Sequence, residues 1–204
     1  MNFLAHAYLS GEDPELLFGN MIADHIKGKV LESYPAGIVK GVLLHRAIDS
    51  FTDDHPVVKV ASSSLSNYFG KYSGVVLDIY FDHFLAVGWS HYNNTELHVF
   101  ARRVYYELLR RYLLLPARSR RIIPWMVAQN WLSGYANLRD LERVFNGMTR
   151  RASFKSGMEN AIPVLSENYQ LIHQQFQTFF PQLEAYATKF RLELENNTET
   201  KPLV

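Results

Sequence analysis

Cysteine is absent from all 204 residues. That excludes a disulfide framework, a thiolate nucleophile and sulfur ligation of a metal. No apolar run is long enough to cross a bilayer. The nearest approach, residues 75–85, is interrupted by Asp78 and Asp82. The opening residues, Met1-Asn2-Phe3-Leu4-Ala5-His6, lack the basic start and apolar stretch of a secretory leader. A cytoplasmic protein without membrane contact is the expectation. There is no alternating strand pattern bounded by hairpin turns, and no internal repeat. A net charge bias is missing too, the formal charge being only +1 at pH 7.

That near-neutral total hides a skew. Residues 1–100 carry 6 Lys/Arg against 11 Asp/Glu, residues 101–155 carry 12 against 3, and residues 156–204 carry 3 against 6. Seven of the eight Asp lie within the first 82 residues. Asp has a short, stiff side chain suited to fixed metal ligation, so the clustering asks for a chemical reason.

What is present is helical. Asp13 caps a helix with Pro14 at its first position and Glu15 in its first turn, and Gly28 is the expected stop. A second helix is expected from Pro35 or Ala36 to about Thr52, another from Pro56 to near Gly70, and another from a Ser73 cap to about Gly88. Thr95 is a candidate cap for a helix to about Leu114. A helix starting at Pro124 should include Trp131, and Asn137 should cap one to about Arg151. Residues 157–194 read as one long helix or two, with Pro181 as the break. The expected fold class is therefore all-α: a single-domain helical bundle over residues 1–195, followed by a polar, disordered tail at 196–204.

Polar stripes cross these helices. Residues four apart share a helix face. His45 and Asp49 are so placed, with Asp53 continuing the row, as are Asp78 and Asp82, Asn20 and Asp24, and Asn2 and His6. The helix bearing Asp78 and Asp82 is apolar nearly all round, which marks it as buried. Two unpaired carboxylates there would cost several kcal/mol or become protonated. A bound divalent cation compensates directly. Nitrogen and oxygen donors without sulfur suit manganese, magnesium, iron or zinc. Each stripe also has a plainer reading: a helix pair for His45 and Asp49, pairing with Arg for Asp78 and Asp82, a satisfied core imidazole for His6.

Four blocks in order resemble the acyl carrier protein phosphodiesterase family. They are Met1-Asn2-Phe3-Leu4-Ala5-His6, Gly19-Asn20-Met21-Ile22-Ala23-Asp24, His45-Arg46-Ala47-Ile48-Asp49 with Thr52-Asp53, and Phe81-Asp82-His83-Phe84-Leu85; Asn146-Gly147-Met148 also looks familiar. The resemblance covers roughly residues 1–150. It implies an HD-domain-like fold related to the HD-type metal phosphohydrolases, and a divalent metal, typically manganese or magnesium. It implies hydrolysis of holo-acyl carrier protein to apo-protein and 4'-phosphopantetheine. The chain contains no His-Asp dipeptide; Asp-His occurs at 24–25, 54–55 and 82–83. The ligand pattern of the wider superfamily therefore does not carry across residue by residue.

On this reading Asp24, His45, Asp49 and Asp82 hold the metal, with Asp78 and His6 in support. Arg46 stabilises the phosphoryl oxygens or pairs with a buried Asp. His83 or His6 protonates the leaving oxygen. Arg102, Arg103, Arg110, Arg111, Arg118, Arg120 and Arg121 face a single nearby acid, Glu107. They would steer an acidic carrier protein, or form an ordinary solvated helix face. A nucleotide or small-molecule phosphohydrolase on the same metal site is a second reading. A non-enzymatic helical module is a third, with Tyr105, Tyr106 and Tyr112 among the arginines; no recognised nucleic-acid motif accompanies them.

Overall fold

The computed structural model describes residues 1–196, and among these the chain forms ten α-helices, with six short 3-10 helices in the segments between them. They are α1 (Phe3–Leu9), α2 (Pro14–Ile22), α3 (Ala36–Asp54), α4 (Pro56–Phe69), α5 (Ser73–Val87), α6 (Leu97–Arg110), α7 (Ala117–Ala128), α8 (Trp131–Gly134), α9 (Leu138–Thr149) and α10 (Ala161–Asn196). No strand occurs among the described residues. The all-α expectation holds. Asn196, expected in the tail, instead closes α10; the rest of that expectation, residues 197–204, lies outside the described residues.

Helix α5 is the central rod. Val76, Leu77 and every residue from Ile79 to Ala86 are buried. Helices α1, α4 and α10 pack around it. Phe81 and Phe84 of α5 meet Phe176 of α10, and Phe81 stacks on Phe179. Each such ring taken from water contributes about 2–3 kcal/mol. Buried side chains from all ten helices join in one apolar cluster, as a single domain requires.

Local signals set most boundaries. Asp13 accepts hydrogen bonds from the N–H groups of Glu15 and Leu16, fixing the start of α2. That helix stops at Ile22 rather than Gly28 and passes into a tight 3-10 turn, Ala23–His25. Pro124 does not open a helix, and of the two readings of the last third the single helix holds, for one reason. Pro124 lies inside α7 and Pro181 inside α10, and both are exposed. The carbonyl that each leaves without a helical partner can turn to water, so neither helix breaks. The break before Trp131 comes instead from Asn130, held at φ 49° in the left-handed region, and Trp131 opens α8.

Candidate metal centre

Helices α2 and α3 lie backbone to backbone. A methyl group on Gly41 would fall within 2.8 Å of the Asn20 nitrogen and of the Gly19 Cα, and closer still to the Leu16 carbonyl oxygen. This approach sets Asn20, at the end of α2, beside His45 on α3. Asn20 is fully buried, and all four of its hydrogen-bonding valences are used. Its Nδ2 donates to the His6 carbonyl and to Ser10 Oγ, each at 2.9 Å. Its Oδ1 accepts from Nδ1 of His6 at 2.8 Å and of His45 at 3.1 Å. One amide thus places the protons on both Nδ1 atoms, and the two rings stack with centroids 4.1 Å apart. Both Nε2 atoms are left aimed at the same carboxylate.

That carboxylate is Asp49. Its Oδ1 lies 3.2 Å from His6 Nε2 and its Oδ2 lies 3.1 Å from His45 Nε2. Asp24, presented by the turn after α2, places Oδ1 at 3.2 Å from the same His45 nitrogen. Burial alone would lower the pKa of His45, but the hydrogen bonds it donates to Asp24 and Asp49 overcome this and raise the imidazole to about 9. Burial lowers His6 to about 4, and the neighbouring His45 charge adds to this. Beyond the two Nδ1 protons, the pair therefore carries one extra proton, on the ring that meets two carboxylates rather than one. Burial works to raise Asp49, yet its bonds to both imidazoles hold it well below the usual carboxylate range.

His6, His45 and Asp49 each offer a ligand atom, all within 4.8 Å of one another, and could together hold a divalent ion. They line a cavity of about 280 Å³ together with Asp24, Asp53 and Asp78. Four carboxylates in one small cavity, with imidazole nitrogens held in the ligating tautomer, are a donor set that fits a divalent cation. His6 thus stands among the candidate ligands rather than beside them. Asn20, which orients both rings, lay on a sequence stripe, but its link to His6 spans a separation that no helix period reports.

The sequence profile of the acyl carrier protein phosphodiesterase family matches residues 1–183. The chain belongs to that family. A protein of Yersinia pestis named acyl carrier protein phosphodiesterase is 32% identical over 182 residues, covering 89% of this chain and 94% of the relative. One of the same name from Yersinia enterocolitica is 30% identical over 188 residues, covering 92% and 97%. Another, from Photorhabdus laumondii, is 31% identical over 182 residues, covering 89% and 92%. No solved structure matches the chain.

The blocks that resemble the acyl carrier protein phosphodiesterase family separate in space. Three of them, from α1, α2 and α3, build the cluster. The fourth, on α5, does not join it. Asp78 touches the cavity, but its Oδ1 pairs with the Met1 ammonium at 3.0 Å, and burial raises its pKa. Asp82 is fully buried, does not line the cavity, and accepts backbone N–H groups of Asn2, Leu4 and Ala5. Burial pushes its carboxyl up to about 7, against the pull of the Met1 ammonium and those N–H groups. The positive start of α1 gives the α5 stripe the partner that the sequence reading sought in a metal. His83 is buried elsewhere, donating from Nδ1 to the Tyr135 carbonyl at 2.7 Å. It is thus removed from any leaving oxygen in the cavity. Arg46 is exposed and donates to the Ile26 carbonyl at 3.4 Å, outside the cavity lining. No helix among the described residues is long and apolar enough to cross a membrane.

Proposed function

We propose that this chain is a cytoplasmic, divalent-metal-dependent phosphodiesterase that hydrolyses holo-acyl carrier protein to apo-protein and 4'-phosphopantetheine. Family membership supports the substrate, and the charge of the cavity supports the metal. A phosphodiester is anionic, and the cavity walls carry Asp24, Asp49, Asp53 and Asp78. Such a space repels the substrate unless a cation offsets that charge and offers the phosphate a positive centre. Manganese or magnesium suits the carboxylate-rich wall. When bound, the ion supplies water activation and polarisation of the phosphoryl group.

The protein's own groups divide the remaining work. Asn20 keeps both rings in the ligating tautomer. His6, His45 and Asp49 would hold the ion, and Asp24 lies against the same His45 nitrogen. The decisive experiment is mass spectrometry of holo-carrier protein incubated with this protein and manganese. Conversion to the apo mass, stopped by EDTA and restored by Mn²⁺, is expected. An unchanged holo mass, with nucleotides or small diesters consumed instead, would transfer the site to another substrate class.

Ion binding should be pH-linked. His45 carries its proton up to about pH 9 and must lose it to ligate. Apparent Mn²⁺ affinity should therefore rise about tenfold per pH unit towards pH 9 and level off above it. His6 is already neutral across that window, with its pKa near 4. Calorimetry in buffers of different ionisation enthalpy should find about one proton released per ion at neutral pH. A flat affinity between about pH 6.5 and 8.5 would contradict this assignment.

The docking face is narrower than the arginine count implies. Arg103 pairs with Glu12, and Arg110 and Arg111 both pair with Glu107. Arg120 donates to the Leu113 carbonyl. Arg102, Arg118 and Arg121 are exposed and make no ion pair among the described residues. The last two flank Ser119, whose Oγ is 2.7 Å from His25 Nδ1, next in sequence to Asp24. The Ser119–His25 bond ties the start of α7 to the turn that carries Asp24, and exposed Leu113 and Leu114 precede it in the chain. Acyl carrier proteins are acidic, so this is where we place the carrier. Replacing Arg118 and Arg121 together by Glu should raise KM about tenfold at low salt with kcat kept, an effect that shrinks as salt screens it. An unchanged KM at low salt would move the docking face elsewhere.

A further inference from the structure

The Asp82-His83 step has no part in the chemistry above, yet both side chains are buried and polar. We infer that Asp82, with His83 behind it, is the positioning element of the site. It acts through the backbone of α1 on the ring of His6. The inference rests on the reading of His6 as an ion-holding residue.

Helix α1 has seven residues, too few to be stable on its own. The first N–H groups of a helix have no partner within it. Here a side chain from α5 supplies most of them. Leu4 N–H donates to Asp82 Oδ2 at 2.7 Å, and Asn2 and Ala5 N–H donate to Oδ1 at 3.3 Å. Phe3 N–H is taken by the Asn2 side chain at 2.9 Å. The next residue after this clamp is His6. Its main chain is thus held from α5, and its Nδ1 is held from α2 by Asn20. Without the clamp, the ring would keep its hydrogen bond but lose its fixed origin.

His83 supports the same end from the side. Its Nδ1–H donates to the Tyr135 carbonyl, and Tyr169 lies 3.4 Å from its Nε2. The Tyr135 side chain, fully buried, in turn lies beside the Phe3 N–H. Asp82 thus holds the first turn of α1 directly, and His83 holds the main chain of Tyr135, whose side chain lies beside that turn. Neither side chain reaches the cavity.

The test is a cycle on the full chain. Removing a group that orients a ligand typically costs about 10–100-fold in metal affinity. Asp82→Ala should weaken Mn²⁺ binding, followed by electron paramagnetic resonance, by about that factor. Asp82→Asn keeps one accepting oxygen and should lose only about threefold to tenfold. In the metal-free protein, the amides of Ala5 and His6 should exchange faster in both variants, and the ¹⁵N signals of the His6 ring should broaden. In a His6→Ala background either Asp82 substitution should change Mn²⁺ affinity by less than about twofold, because the route through His6 is gone. Losses that multiply in the double variant would make Asp82 a direct ligand and overturn the inference. So would unchanged α1 exchange in Asp82→Asn. Should Asp82→Ala not fold, Asp82→Asn carries the same cycle. A parent that binds no Mn²⁺ would defeat the proposed function alone, and the exchange of α1 amides would still decide the role of Asp82.

Discussion

Asp49→Asn should remove divalent-ion binding and lower kcat/KM for holo-carrier protein by about three orders of magnitude. Asp49 is the one carboxylate shared by both imidazoles, through one oxygen to each. Asparagine keeps the shape but withdraws the negative charge and turns one oxygen into a donor. An N–H₂ group would then face an Nε2 that must offer a lone pair. Lewis-acid stabilisation of a phosphoryl transition state amounts to several kcal/mol. Each 1.4 kcal/mol is a factor of ten, so losing it costs about 10³ in rate. The fold should survive, because the Asp49 side chain is 40% exposed and its pairing is screened by water. Circular dichroism and thermal melting separate this outcome from simple unfolding. A folded Asp49→Asn protein with parental activity and metal content would remove the cluster from the reaction.

Comparison with the sequence reading separates local from distant signals. The start of α2 was legible because Asp13, Pro14 and Glu15 act within one turn. The row of His45 and Asp49 was legible because four residues along a helix restore the same face. The clustering of Asp in the first 82 residues also pointed to the right half of the chain. The failures have a different origin. A carboxylate on a buried helix needs a positive partner, but the sequence does not say which. For Asp78 it is the Met1 ammonium, and for Asp82 the N–H groups opening α1. Both satisfy the same electrostatic demand as an ion would. Sequence alone gives His6 only a supporting part, because its neighbours on α2 and α3 arrive through tertiary packing. The arginines of residues 102–121 formed one basic block in sequence, whereas folding pairs three of them with Glu12 and Glu107.

Gly41→Ala should damage both the fold and the site, although Gly41 ligates nothing. Its added methyl would point at backbone atoms of Leu16, Gly19 and Asn20, none of which can rotate aside. Helices α2 and α3 would have to separate. Overpacking a tight core costs about 1–3 kcal/mol, and more where backbone must move. At about 3 kcal/mol, a chain of this size should lose roughly 10 °C in Tm. The displacement also reaches the chemistry. Asn20 sits on α2 and His45 and Asp49 on α3, so widening this gap stretches the Asn20–His45 bond first. Mn²⁺ affinity should therefore fall even at temperatures where the variant is fully folded. Gly19→Ala, which meets the Ile38 carbonyl across the same gap, should do the same. At Gly74, where a methyl would meet nothing within 4 Å, the same substitution should leave metal affinity unchanged. Calorimetric titration of the three variants checks the contrast. Equal affinities in all three would mean that the close approach of α2 to α3 does not set the geometry of the cluster.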